Sequence, residues 1–309
     1  MAISSNPYTI GFGKIPTHYI SRDLVIEEIL DEINSETIRE QAFKLTGIRG
    51  TGKTVTLTAI ENALRDDKKW IVTGIRPEGN ITEEVVGSKI IEELNKKGKR
   101  LLITIDEVKN TSEMRSFVQE FQILIRQDLP VFLIIAGLYD DVENLENADH
   151  LTFFLRAEKY EMKPLNHTIM RSDYVKTLGV STDTAEQMAS ITKGYAFAYQ
   201  ALGKYMWDFR EKDITEEVLA KLDEALSEKV YQKIWSELTP KERWFLGYIV
   251  KKEKMPVSEL LELTHQNKSQ FSRPRDGLRK KGVIDTSVRG EISIRLPRFK
   301  EFVEYQMSL

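Results

Sequence analysis

Eight consecutive residues, Gly47-Ile48-Arg49-Gly50-Thr51-Gly52-Lys53-Thr54, have the types and spacing of a phosphate cradle: a glycine, four residues, then Gly-Lys-Thr. Glycines let successive backbone N–H groups turn inward around phosphate oxygens, and a helix starting at the lysine adds a favourable dipole. The pattern predicts that Gly47, Arg49, Gly50, Thr51, Gly52, Lys53, Thr54 and Val55 surround ATP, with Lys53 reaching the β- and γ-phosphates and the Thr54 hydroxyl ligating Mg²⁺. A random chain of this length would match on the order of 1% of the time, so chance is a poor explanation. Such a site also needs a carboxylate for the metal. The apolar run 101–105 supplies one, ending in Asp106 and Glu107. Asp106 is expected to hold Mg²⁺, and Glu107 to deprotonate the attacking water. The competing reading is that Asp-Glu merely caps the next helix.

The elements around these residues follow from periodicity. Apolar strands are predicted at Ala42–Thr46, 70–74, Arg100–Ile105 and 131–136, with one more possible at 160–162. Helices are predicted at Asp23–Asn34, Lys53–Arg65, 81–95 and 112–127. Alternation of this kind signals an α/β domain with a parallel sheet, drawn over residues 1–163. Residues 164–228 are helical in pattern throughout and form a second unit. Beyond them, Thr239-Pro240 starts a helix, two more follow at 257–263 and 268–281, and a hairpin turns at Arg289-Gly290. Three helices and a hairpin are the order of a winged helix, assigned to 229–309.

Composition narrows the class. The 309 residues are 41% hydrophobic and 30% charged, which excludes wholesale disorder. The longest apolar run, 131–138, falls far short of the roughly 20 residues a membrane span needs. The N-terminus lacks the basic start and apolar stretch of a secretory signal. Cysteine is absent, which removes disulfides and thiolate chemistry, and four scattered histidines show no metal-ligand spacing. A cytoplasmic protein with no membrane partner is expected. The net charge of −3 conceals an asymmetry: residues 267–300 carry +7 and residues 1–266 carry −8. The basic stretch suggests an anionic partner. Lys268, Arg273, Arg275, Arg279, Lys280 and Lys281 in the third helix, and Arg289 at the wing tip, could contact the phosphates of double-stranded DNA, with Arg295 and Arg298 beyond. The alternative is docking on protein, including the acidic remainder of this chain. Pro274 would be tolerated if the helix began near Arg273.

GIRGTGKT, LLITIDE, the helical segment and the winged helix, in that order, resemble AAA+ ATPases of the origin-recognition type. The N-terminal NPYTIGFGKIPTHYISRD and the later KGYAFAYQALGKYMWD are similar to bacterial AAA-family ATPases related to those initiators and to archaeal-type ATPases. The resemblance covers essentially the whole chain. It implies an α/β P-loop AAA+ core with a parallel sheet, a helical lid at 164–228 and a C-terminal winged-helix domain. It also implies that Ile20, Arg22 and Asp23 lie near the adenine, with Ser21 replacing the usual glycine and Tyr19 either a base contact or core. Arg156 would be an arginine finger offered to a neighbouring subunit, in a homo-oligomer or with a partner ATPase; otherwise it is a surface arginine paired with Glu158 or Glu161. Two positions depart from the family: Gly137-Leu138-Tyr139 stands where a polar sensor residue is expected, and Phe197 where many relatives place a second-sensor arginine. Only 53 positions separate Lys53 from Asp106, which leaves little room for decoration at that sheet edge. Without both sensors, hydrolysis should be slow or partner-stimulated. The expectation is therefore a slow nucleotide-dependent switch controlling a DNA-binding winged helix, replication-initiator-like or mobile-element-associated. The alternative is a regulatory or signalling NTPase whose winged helix serves protein contact or autoinhibition.

Overall fold

The structure, a computed structural model, describes residues 5–11, 16–75, 92, 95–149, 151–252 and 254–308. The first part runs α1 (Asp23–Asn34), β1 (Ala42–Thr46), α2 (Lys53–Arg65), β2 (Trp70–Ile75), β3 (Arg100–Ile105), α3 (Ser112–Arg126), β4 (Val131–Gly137), α4 (Tyr139–Glu146), a 3₁₀ turn (Thr152–Arg156) and β5 (Glu158–Glu161). Five parallel strands form one sheet in the order β2-β3-β4-β1-β5. β1 and β4 are buried along their whole length because helices cover both faces. Alternate residues divide between those faces. Phe43 and Leu45 pack with Ile29 and Ile33 of α1 and Leu57 and Ile60 of α2, while Ala42, Ile103 and Leu133 pack with Phe117 and Phe121 of α3 and Val142 of α4.

The helix expected at 81–95 lies outside the described residues except at its end. The strand expected at 160–162 begins two residues earlier, at Glu158. It is a mostly exposed edge strand of sequence EKYE, so no apolar alternation marks it.

Four helices follow: α5 (His167–Leu178), α6 (Thr182–Thr192), α7 (Ala196–Phe209) and α8 (Glu216–Leu226). Asn166, Ser181 and Thr215 cap three of them through side-chain oxygens. A π-helical turn (Ser227–Tyr231) leads into α9 (Gln232–Glu237), α10 (Pro240–Ile249), β6 (Lys254–Pro256), α11 (Val257–Thr264), α12 (Lys268–Lys280), β7 (Ile284–Asp285), β8 (Glu291–Ile294) and α13 (Phe299–Ser308). Thr239 and Glu242 form a reciprocal capping box at the start of α10. β6, β8 and β7 make a small antiparallel sheet beside α10–α12, and Gly290 at φ +81° turns the hairpin.

Pro274 sits inside α12 and not in its first turn, because Asn267 and Gln270 box the helix start at Lys268. The ring removes one main-chain donor, and its own burial between Phe271 and Leu278 offsets part of that cost.

The helices of 164–228 and the terminal segment share one apolar core, in which Met188 and Leu202 of the former join Phe245 of α10 and Leu278 of α12. Ile48, a residue of the loop after β1, belongs to this core and not to that of the sheet. Gly282, just past α12 at φ +69°, lies so close that an added Cβ would collide with Ile48 Cγ2. The terminal segment is thus seated directly on the loop that follows β1. Among the described residues, no helix is long and apolar enough to cross a membrane.

Candidate functional site

β3, β4 and β1 are neighbours in the sheet, so the loops leaving their C-terminal ends converge. Gly50 and Gly52, at φ +73° and +92°, adopt the left-handed backbone that the cradle requires. Lys53 opens α2, and its ammonium donates to the carbonyls of Gly47 (3.0 Å) and Ile48 (2.9 Å). Burial pushes this ammonium down to about 8, against the opposing pull of Asp106, while the nearby charge of Arg49 lowers it further. A desolvated cation bonded to two neutral carbonyls fits a site for an anion. The Thr54 hydroxyl donates to Asp106 Oδ2 at 2.6 Å, which brings together the hydroxyl and carboxylate that an octahedral Mg²⁺ would use. Asp106 Oδ1 accepts from the Glu107 N–H at 2.9 Å. Glu107 is exposed and holds φ +53°, an uncommon conformation for a residue with a Cβ.

These groups border a cleft of about 340 Å³. Arg49, Gly50, Thr51, Gly52, Lys53, Thr54, Val55, Asp106 and Glu107 all line it. Gly47 is not among the lining residues, and an added Cβ there would stand 2.8 Å from Thr51 Oγ1 and 3.0 Å from Met162 Cβ. Tyr19, Ile20 and Arg22 also line it, and Arg22 Nη2 donates to the Thr51 carbonyl at 2.9 Å. The lid closes the cleft through Ala196 and Phe197. Phe197 N–H donates to the Gly50 carbonyl at 3.0 Å, and the Tyr195 hydroxyl donates to the Arg49 carbonyl.

Of the two departures from the expected pattern, the one at Gly137 has a local cause. Gly137 is wedged between Val108 and Val142, which would stand 2.7 Å and 3.0 Å from an added Cβ. The next polar group, the Tyr139 hydroxyl, donates to Glu161 at 2.6 Å and does not line the cleft. Phe197 places a ring at the lid position.

Arg156 is exposed on the 3₁₀ turn before β5. Phe43 pairs with Glu158, so this turn lies beyond the N-terminal end of β1, whereas the phosphate loop leaves its C-terminal end. Five residues of strand, roughly 17 Å, separate them, so Arg156 does not reach the cleft of its own chain. Neither Glu158 nor Glu161 is paired with it: Glu161 meets Arg295 at 3.7 Å.

The structure brings forward groups that the motifs do not flag. Asp173 of α5 accepts from Tyr8 (3.0 Å) and Tyr199 and meets His18 Nε2 at 2.6 Å. Gln200 accepts from the Thr9 N–H at 3.0 Å and donates to the His18 carbonyl at 2.8 Å. The segment carrying Ile20 is thereby fastened to the lid. Lys44, buried within β1, pairs with Glu146 at 2.8 Å and donates to the Phe154 carbonyl at 2.8 Å, which fixes the turn that bears Arg156. The visible signal was a lysine in the apolar strand AFKLT; its partners are more than 100 residues away.

The basic residues of the terminal segment divide into two groups. Lys280 pairs with Glu143 of α4 at 3.0 Å and with Asp276 at 3.4 Å. Lys281 neutralises the buried Glu242 at 2.8 Å, Arg279 pairs with Asp276 at 2.8 Å, and Arg298 pairs with Asp223. Lys268, Arg273 and Arg289 are exposed, Arg275 is half-buried, and none of the four has an ion-pair partner among the described residues. Ser269, Ser272, Arg273, Asp276 and Arg279, with Thr286 of the wing, surround a shallow polar depression on the exposed face of α12.

Residues 39–168 match the family described as "AAA domain", and residues 228–303 match one described as "Domain of unknown function (DUF8462)". No curated protein matches the chain. Among solved structures, a Walker-type ATPase of Pyrococcus abyssi is similar at a TM-score of 0.70 and 12% identity, over 93% of this chain and 96% of that one. Cdc6p of Pyrobaculum aerophilum is similar at a TM-score of 0.51 and 15% identity, over 97% of both chains. The ORC2 protein of Aeropyrum pernix in its ADP form has the same TM-score at 12% identity, again over 97% of both. At these identities the likeness is one of fold. The chain thus has an α/β P-loop fold in which residues 39–168 match an AAA domain, and the solved structures that share its fold include a Walker-type ATPase, Cdc6p and ORC2.

Proposed function

We propose that the chain is a slow, Mg²⁺-dependent ATPase whose nucleotide state governs a DNA-binding winged helix. The observation that carries this reading is the Thr54–Asp106 hydrogen bond of 2.6 Å beside the half-buried Lys53, in the lid-covered cleft. Gly50, Thr51 and Gly52 would present main-chain N–H groups to the phosphates, and Lys53 would exchange its two carbonyl acceptors for phosphate oxygens. Ile20, Arg22 and the lid would enclose the nucleoside. Thr54 and Asp106 would hold Mg²⁺, which supplies neutralisation of phosphate charge when bound. Glu107 would accept the proton of a water as its oxygen bonds to the γ-phosphorus and the bond to the β-phosphate oxygen breaks. The ADP bound by a protein of the same fold supports the choice of ligand. Neither Gly137 nor Phe197 offers a polar side chain to the phosphates, which supports a slow turnover.

Arg156 would serve a neighbouring subunit, in a homo-oligomer or beside a partner ATPase, since it lies at the far end of its own sheet. The three-unit division at 163/164 and 228/229 accords with these roles, and the protein would work in the cytoplasm.

Lys268, Arg273, Arg275 and Arg289 would meet duplex DNA, with Arg279 freed from Asp276 to join them. The N-terminal half of α12 is its exposed half, and recognition helices read DNA with their N-terminal residues. Lys280 is committed to Glu143 and drops out of that set. The same ion pair, with the Gly282–Ile48 packing, favours a second reading in which the winged helix is a protein-docking and autoinhibitory module.

Titration of the full chain with a labelled duplex, with and without ATP and at two salt concentrations, separates the two. The first reading expects salt-sensitive binding that changes with ATP; no binding at low salt favours the second. The ATPase itself is tested by Glu107→Gln, expected to keep ATP affinity and lose turnover by about a hundredfold or more; retained turnover would place the base elsewhere.

A further inference from the structure

Arg49 occupies the middle of the phosphate loop, yet its guanidinium is not committed to that loop. Nη2 donates to Glu237 Oε1 at 3.1 Å, across to the last residue of α9. Its Nε–H is buried and has no acceptor among the described residues. Its carbonyl, in contrast, is held by the Tyr195 hydroxyl. The backbone of Arg49 is therefore fixed while its side chain retains unused donors beside a cleft built for phosphate. Glu237 has a second cation available, Lys233 at 3.3 Å on the same helix. It can lose Arg49 without being left alone.

Position matters as much as pairing. Glu237 ends α9, and Thr239, the N-cap of α10, follows two residues later. Next to Arg49, Ile48 packs on Gly282 at the other end of the same winged helix. The phosphate loop thus touches the terminal domain at two points, one apolar and one ionic.

We propose that Arg49 is an exchangeable positioning residue for which Glu237 and the terminal phosphate of bound ATP compete. Taking Arg49 onto the phosphate passes Glu237 to Lys233 and removes the ionic point of attachment between the loop and the winged helix. A planar guanidinium suits either carboxylate or phosphate, and phosphate carries the greater charge. This inference rests on the ATP reading above and adds how the site signals to the terminal domain.

A double-mutant cycle on the full chain tests it, with ATP·Mg²⁺ and ADP·Mg²⁺ as probes in calorimetry at low salt. Arg49→Gln should weaken ATP on the order of tenfold and ADP much less. Glu237→Gln should tighten ATP by about two- to fivefold, the scale of a partly exposed ion pair. In the Arg49→Gln background, Glu237→Gln should have no further effect. Tightening that persists in that background would mean that Glu237 acts only through its field, and would overturn the exchange, as would equal effects on ATP and ADP. If the unmodified chain binds no ATP, the underlying reading fails; if it binds ATP and the cycle is additive, only the exchange fails. Both side chains are about a third exposed, so folding should survive, which thermal melts check, with Glu237→Asp expected to restore the pair and the unmodified affinity.

Discussion

The cations of the phosphate loop and those of the terminal segment meet opposite surroundings. Lys53 is half-buried, with backbone carbonyls as its hydrogen-bond acceptors, and desolvation disfavours its charge where it stands. Lys280, Lys281 and Arg298 are paired with carboxylates of their own chain: Lys281 ties the end of α12 to α10, while Lys280 and Arg298 join the terminal segment to Glu143 and Asp223 outside it. A desolvated cation bonded directly to neutral carbonyls and to no carboxylate points to an anionic ligand. A cation matched to a carboxylate points to architecture. By that criterion, formal charge overstates what the terminal segment could offer an anionic partner, and Lys268, Arg273, Arg275 and Arg289 are the cations of the proposed interface that have no ion-pair partner among the described residues.

The comparison breaks first at Lys53. Lys53→Ala should weaken ATP by a hundredfold or more in calorimetry, since one charged hydrogen-bonding group is worth about 1.5–3 kcal/mol and this one is desolvated; unchanged affinity would remove the cradle reading. Gly282→Val tests whether the terminal segment is seated on the loop. Its side chain would meet Ile48 at a positive φ, with an expected loss of about 2–4 kcal/mol in denaturant unfolding. A change below 0.5 kcal/mol would mean that the contact is easily given up.

Acidity sharpens the contrast. With Lys53 at about 8, the ammonium is charged below that value and neutral above it. Triphosphate binding favours the charged form, so affinity should be nearly flat below pH 7 and fall about tenfold per unit above pH 8. A flat profile to pH 9.5 would show that the lysine keeps its ordinary value. The smallest effect concerns the two kinds of terminal cation. Arg273→Ala should reduce the slope of duplex affinity against salt by about one, whereas Lys280→Ala should leave it unchanged and cost at most about 1 kcal/mol of stability. Equal slopes for both would erase the distinction.

Much of this molecule is legible from local pattern. β1, α1, α2 and β3 have the bounds that their apolar periodicity predicts, because strands buried on both faces and amphipathic helices leave signals a few residues long. The edge strand β5 does not, since half-exposed EKYE carries no such alternation. Pro274 misleads for a related reason: a proline is a local helix breaker, but its burial with Phe271 and Leu278 is a property of the packed domain. Asp173, which ties Tyr8, His18 and Tyr199 together, is invisible in sequence because its partners lie 26 to 165 residues away.

From residue order alone came the strand–loop–helix that shapes the phosphate loop, the carboxylates that end the third strand, and the helices and hairpin of the terminal segment. These depend on backbone conformation and on periods of two or 3.6 residues, which neighbours in the chain dictate. Only the tertiary structure decided that Ile48 leaves the sheet to join the core of the terminal segment, that Arg49 reaches Glu237, and that Lys280 turns to Glu143 while Arg273 stays in water. Those choices depend on which surfaces meet when separate elements dock, and no local period encodes that meeting.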